Sequence, residues 1–224
     1  MRTAMFTPCF LEGEDALGNN RLSRNVRYID WYSKIQHDIG IDSMHFSDNN
    51  SHYSLIESLQ QSANSLTNIP VFIHTNAKRL KGSQGWEFYP YCWRALYLGR
   101  ALIESGKYDK LVFCDSDALV ISRRLSLFVK DLSSGWIAFT ERRYTFPTAE
   151  FHVLCRDEFD LFMEFTSVPY ITYSGRIMER TLPFTEVITS SRFHAQRTGE
   201  YRLPQYPGQD LYCQAQLTIP LIYN

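Results

Sequence analysis

Apolar and polar positions fall into alternating blocks along this chain. Residues 4–10 are an apolar run that predicts a strand, and 11–24, polar and carrying Gly13, Gly18, Asn19 and Asn20, predict a loop. Val26, Ile29, Tyr32 and Ile35 recur at helical spacing across 25–39, and Gly40 ends that helix. A second strand is expected at 41–46, a Ser-Asp-Asn-Asn-Ser turn at 47–51, and a helix at 53–66 with Leu55, Ile56, Leu59 and Ala63 in register. A third strand covers 69–74, with Pro70 at its start, and a basic, Gly-containing loop covers 75–90. The clearest helix follows at 91–105, where Ala95, Leu98 and Leu102 share a face before Gly106. Beyond it the pattern predicts a strand at 110–115, a short helix at 125–132, strands at 136–140 and 149–154, and a Phe-rich helix at 158–165. Residues 166–208, with Pro169, Pro183, Pro204 and Pro207 among polar neighbours, predict irregular structure.

The first half therefore reads β-α-β-α-β-α-β. Such alternation implies an α/β domain with a mostly parallel central sheet and helices on both faces. Ligands of these sheets bind beyond the carboxyl ends of the strands. Thr7, Asp48, Thr75, Asp115 and Asp117 all fall there.

Composition narrows the classes. A chain of 224 residues with 44% hydrophobic and 15% aromatic residues can bury a large core, which excludes wholesale disorder and suits one domain, 1–224. A net charge of −1, from 23 basic and 24 acidic residues, gives no footprint for nucleic acid. Five scattered cysteines without a CxxC pair read as reduced, buried thiols of a cytoplasmic protein, and no structural zinc pattern is present. No charged leader precedes a long apolar segment, and no apolar run of about 18 residues occurs. No transmembrane segment is expected. Peripheral membrane contact and further domains of a longer chain are left open.

The candidate chemistry centres on residues 110–121, Lys-Leu-Val-Phe-Cys-Asp-Ser-Asp-Ala-Leu-Val-Ile. An apolar strand that ends in Asp115 and Asp117 offers two hard oxygen ligands at the lip of a sheet. That is a natural way to hold Mg²⁺ or Mn²⁺ against phosphates. A solvated turn is the alternative use of such acids.

Tyr91-Cys-Trp-Arg-Ala-Leu-Tyr-Leu, then the 110–121 segment, then Leu125-Ser-Leu-Phe, resemble the core of GT-A glycosyltransferases, the nucleotide-sugar-dependent type with a DxD metal motif. The 47–51 turn resembles their Asp-rich turn after the second strand, and Gly208-Gln-Asp-Leu-Tyr212 is similar to a late Gln-Asp segment. The resemblance implies a GT-A (Rossmann-like) fold with a nucleotide-sugar-binding half, 1–121, and an irregular acceptor-side half, 122–224. It implies transfer of a sugar from a nucleoside-diphosphate sugar, a UDP-sugar, to a hydroxyl of a glycan or related acceptor. Asp115 and Asp117 would bind Mn²⁺ or Mg²⁺ on the diphosphate, with Ser116 a tolerant position between them and His194 a third ligand. The cation would stabilise charge on the leaving diphosphate. Thr7, Pro8 and Cys9 would approach the nucleoside. Asp48 would accept from base or ribose, or else start the next helix as an Asx turn. Arg94 resembles the family's Arg near the sugar, with an ion pair to Asp115 as its rival use. Arg21 and Arg24 would meet the diphosphate or be solvated.

An inverting transfer needs a carboxylate to deprotonate the acceptor. Asp210 and Glu186 are the candidates, each with a capping or exposed role as the alternative, and Glu150 and Asp157 are weaker ones. A retaining enzyme would instead set Asp210 or Gln209 near the anomeric centre, and the residues do not decide the stereochemistry. Loop aromatics Trp86, Tyr89, Tyr144, Phe146, Tyr170, Tyr173, Tyr201 and Tyr206 are candidates to stack on sugar or to anchor loops.

Three rival readings share the motif. A haloacid-dehalogenase-type phosphatase also has strand-DxD, but on its opening strand, with Asp157 and Asp160 imitating its late acidic motif. A nucleotidyltransferase would show a Gly-rich loop after the first strand, which 7–13 does not provide. A non-catalytic sugar-binding domain has no need for an intact Asp115/Asp117 pair.

Overall fold

The computed structural model describes residues 1–14, 20–80, 90–140, 146–173, 176–197, 208–213 and 223. The expected order of elements is present: β1 (Thr3–Cys9), α1 (Arg21–Ile39), β2 (Ser43–Asp48), α2 (Tyr53–Leu66), β3 (Val71–Thr75), α3 (Pro90–Glu104) and β4 (Lys110–Cys114). β5 (Leu119–Val120), α4 (Arg123–Asp131), β6 (Trp136–Thr140), β7 (Pro147–Cys155) and α5 (Phe159–Phe165) follow. Among the described residues, the region expected to be irregular holds short pieces, α6 (Met178–Thr181), β8 (Glu186–Ile188) and β9 (Ala195–Arg197), and β10 (Leu211–Cys213) follows it.

Two boundaries differ instructively. α1 begins at Arg21 rather than 25, because the Asn20 side chain accepts from the Ser23 amide at 3.1 Å and caps the helix inside what reads as a polar loop. β2 runs on to Asp48, because parallel pairing with β1 (Cys9↔Asp48) extends it past the end of its apolar stretch.

Seven strands form one sheet in the order β3-β2-β1-β4-β7-β6-β8. β3, β2, β1 and β4 are mutually parallel, and β7 runs antiparallel to both β4 and β6. A second sheet, β5-β10-β9, is small. Because strand side chains alternate, each central strand feeds two cores. Met5, Met44, Val112 and Cys114 join α1, α2 and α4 on one face. Ala4, Phe6, Leu111 and Phe113 join α3 and α5 on the other. Gly99 allows α3 to lie against the sheet, since a Cβ there would stand 2.9 Å from Phe6 Cζ. Gly40 closes α1 in the left-handed region at φ 74°, its amide donating to the Gln36 carbonyl.

Buried polar groups tie the layers together. The Lys110 ammonium donates to the carbonyls of Val129, Lys130 and Leu132 at 2.6, 2.8 and 3.0 Å, closing the C-terminal end of α4. His152 stacks on Phe113 and accepts from Trp136 Nε1 at 3.1 Å. Its burial holds it at about 3. His45 is held at about 4, first by burial and then by His74 and Lys107. Both rings are thus neutral in the fold, while the unfolded chain takes up protons below its ordinary imidazole pKa. Folding stability is therefore expected to fall as pH drops from about 6.5 toward 4, by about 2 kcal/mol for each ring at pH 5. Urea midpoints at pH 7 and pH 5 measure this, and an unchanged midpoint would contradict it.

Candidate active site

The chain leaves β1 toward β2 and β3 on one side, then returns to place β4 on the other side of β1. The carboxyl ends of β1 and β4 therefore flank a point where the strand order reverses, the usual ligand crevice of an open α/β sheet. Cys9 ends one of these strands, and Asp115 and Asp117 follow the other.

The carboxylate turn is held by α1. Tyr28 donates to the Cys114 carbonyl at 3.2 Å and Tyr32 to the Ala118 carbonyl at 3.0 Å. Trp31 Nε1 donates to the Val120 carbonyl at 2.9 Å, and the Val120 amide donates to Tyr32 Oη at 3.2 Å. Within the turn, the Ala118 amide donates to the Asp115 carbonyl at 2.8 Å, while the Asp115 amide donates to the Glu150 carbonyl, also at 2.8 Å. Ser116 is buried, and both aspartates keep partial exposure. One turn earlier on the same face of α1, Arg24 Nη1 stands 3.5 Å from Asp117 Oδ2. The same guanidinium is close enough to lower the Cys9 thiol, which burial and Asp48 otherwise push well up.

The start of α3 borders the pair from the opposite face. Burial, then the charges of Asp115, Asp117 and Glu150, push the Cys92 thiol well above its ordinary value. Tyr91 is raised by Cys92 and burial, and then by the same two aspartates. Glu150, on β7, is thus the further carboxylate beside the pair. Arg94, on the same helix, donates to the Lys78 carbonyl at 2.6 Å and to Asn49 Oδ1 at 2.5 Å, joining α3 to the turns after β2 and β3.

The donor set suits a hard divalent cation. Two part-exposed carboxylates stand on one short turn, and a guanidinium beside Asp117 already supplies positive charge there. Among the described residues no three His, Cys, Asp or Glu side chains converge on one metal position. Phosphate oxygens and water would complete the shell, as is usual for Mg²⁺ at phosphate sites.

The remaining expected residues divide. Thr7, Pro8 and Cys9 lie at the carboxyl end of β1, buried between β2 and β4. Asp48 is fully buried, and its carboxylate accepts from the Ser51 amide at 2.9 Å and the Ser51 hydroxyl at 2.5 Å, closing the turn after β2, while His52 caps α2. Asp210 is not beside the pair. It pairs through the small sheet with the far end of β5, where it accepts from Ser122 Oγ (2.5 Å), Arg124 (2.7 and 2.5 Å) and the His194 amide (2.7 Å). Its backbone also accepts from the Ile121 amide. His194 therefore sits with Asp210 at that far end, its side chain exposed. Glu186 opens β8, the outermost strand, paired with Ile137 near the amino end of β6. It is exposed, three strands across from β4 and at the opposite edge from the aspartates. Sequence order cannot reveal this, because short strands after residue 185 carry no signal of which edge they join.

Asp157 accepts from the Gly135 amide at 3.0 and 3.1 Å, also at the opposite edge, so the late acids of a phosphatase reading do not meet the pair. Tyr173 stacks on Trp93 and Phe165 as a core anchor, and Arg180 lies over Phe146. Trp86, Tyr89, Tyr144, Tyr201 and Tyr206 lie outside the described residues. The aromatic clamp from α1 went unrecognised at the sequence level; its signal is the i, i+3, i+4 spacing of Tyr28, Trp31 and Tyr32.

The architecture has solved counterparts. The galactosyltransferase LgtC in complex with donor and acceptor sugar analogs superposes with a TM-score of 0.54 at 11% identity, over 93% of this chain and 86% of that one. An active-site mutant of LgtC gives 0.52 at 12% identity, over 87% and 75%. The chain has the GT-A fold. The GT-A sheet order places the carboxyl ends of β1 and β4, and with them Asp115 and Asp117, side by side. No family model matches the sequence, and no curated protein matches it. No helix among the described residues is long and apolar enough to cross a membrane.

Proposed function

We propose that this protein is a metal-dependent glycosyltransferase that moves a sugar from a nucleoside-diphosphate sugar, a UDP-sugar, to a hydroxyl of a glycan or related acceptor. The observation that carries the reading is the Asp115/Asp117 pair at the strand-order reversal of a GT-A sheet, braced by three aromatic side chains of α1. Asp115 and Asp117 hold Mn²⁺ or Mg²⁺, which when bound offsets charge on the leaving diphosphate. Thr7 to Cys9 form the floor toward the nucleoside, and Asp48 shapes the turn above them. Arg94 fixes that turn through Asn49. For the base that acts on the acceptor hydroxyl we prefer Glu150 to Asp210 and Glu186, supported by its strand's bond to the Asp115 amide and by its charge acting with those of Asp115 and Asp117 on Cys92.

A melting-temperature panel tests this. UDP, GDP and their sugars, with and without Mn²⁺, are compared with inorganic phosphate and a phosphomonoester. A binder raises the apparent stability by mass action, about 2.7 kcal/mol at a hundredfold excess over Kd. The expected result is a shift with a nucleoside diphosphate that needs Mn²⁺. A shift with the phosphomonoester alone would replace the reading with a phosphatase.

A further inference from the structure

Arg24 remains to be explained. Its helix is clamped to the carboxylate turn at Cys114, Ala118 and Val120, so the guanidinium cannot drift far from Asp117. The approach is 3.5 Å, and the side chain is one-fifth exposed. Its Nε–H is buried and finds no acceptor among the described residues. An arginine meant only to neutralise Asp117 would be expected to use its fork fully, in a bidentate pair. This one spends a single long contact and keeps a donor in reserve, at the crevice between β1 and β4.

We propose that Arg24 is an exchangeable counter-ion: it neutralises Asp117 in the ligand-free protein and passes to the diphosphate of the donor when the carboxylate pair takes up its cation. The inference rests on the donor-site reading above. Its physics is a charge balance. A divalent cation on Asp117 would stand within a few ångströms of a guanidinium, and the two repel strongly in a part-buried site. A diphosphate removes the conflict, because its oxygens serve both cations and supply the acceptor that Nε lacks. Arg24 thereby opposes metal binding alone and favours metal binding with nucleotide. By linkage the coupling runs equally in both directions. The protein would resist loading with free cation and close its site around the metal–diphosphate pair.

The test compares wild type with Arg24→Gln and Arg24→Lys. Free Mn²⁺ is followed by electron paramagnetic resonance, with and without UDP or GDP, and nucleotide binding by calorimetry. Arg24→Gln is expected to bind Mn²⁺ alone about two- to fivefold more tightly, since a weak competing ion pair is gone. The same variant should bind nucleotide with Mn²⁺ about tenfold more weakly, since charge-assisted bonds to phosphate are lost. Arg24→Lys should fall between. Opposite signs in the two titrations are what a purely structural role cannot produce. If Arg24→Gln weakens both together, or leaves the nucleotide enhancement of Mn²⁺ affinity unchanged, the exchange is overturned. Wild type that binds neither Mn²⁺ nor nucleotide would instead overturn the glycosyltransferase reading itself.

Discussion

Asp115→Asn and Asp117→Asn are each expected to reduce Mn²⁺-dependent nucleotide binding at least a hundredfold while leaving a folded protein. Each substitution removes one of the two carboxylates that the proposed reading assigns to the cation, and an amide oxygen is a weak substitute for a carboxylate toward Mg²⁺ or Mn²⁺. The fold should tolerate the change. Both side chains keep partial exposure, and the backbone of the turn is held by Tyr28, Trp31, Tyr32 and Glu150 rather than by the carboxylates. Calorimetry with UDP and GDP in Mn²⁺ measures the loss, and urea melts verify folding. Unchanged nucleotide affinity in both variants would remove the metal assignment. The two variants should differ in one respect: Asp117→Asn also releases Arg24, whereas Asp115→Asn leaves that contact in place.

Asp210→Ala is expected to cost about 2–4 kcal/mol of folding stability, with donor binding by the folded fraction preserved. Its buried carboxylate joins Ser122 and the Arg124 guanidinium at the start of α4 to the His194 amide, so two segments distant in sequence lose a shared acceptor. Burial alone would raise this carboxyl, but the bonds from Arg124, Ser122 and His194 outweigh it and hold it below the usual carboxylate range. A depressed carboxyl adds stability above its unfolded pKa, and the contribution is lost as pH falls through the folded value. The variant should therefore lose less stability than wild type between neutral and strongly acidic pH. Urea unfolding across that range reads both effects. A fully stable variant with abolished turnover would return Asp210 to a catalytic part.

The contrast between these two sets of acids shows what could be read in advance. Asp115 and Asp117 follow a five-residue apolar strand that is preceded by a clear helix, and local pattern is enough to put them at the lip of the sheet. Asp210 and Glu186 lie among short pieces whose partners are far away in sequence: β10 meets β5 across about ninety residues, and β8 meets β6 across about fifty. Nothing local tells such strands where to go. The start of α1 was obscured for a different reason. Asn20 looks like loop composition, and only its bond to the Ser23 amide makes it a cap.

The sequence by itself determined the alternation of strands and helices, and hence a mostly parallel sheet with two apolar faces, because periodicity of 2 or 3.6 reports which side chains must be buried. It also determined that a carboxylate pair ends the fourth strand. Only the tertiary structure decided which other charges meet that pair. β1 and β4 become neighbours through hydrogen bonds between strands about a hundred residues apart, and the packing of α1 over them brings Arg24 to Asp117. The same packing sends Asp210, His194 and Glu186 elsewhere. Electrostatic partnership depends on distance in space, and long-range strand order sets that distance without leaving a local trace in the chain.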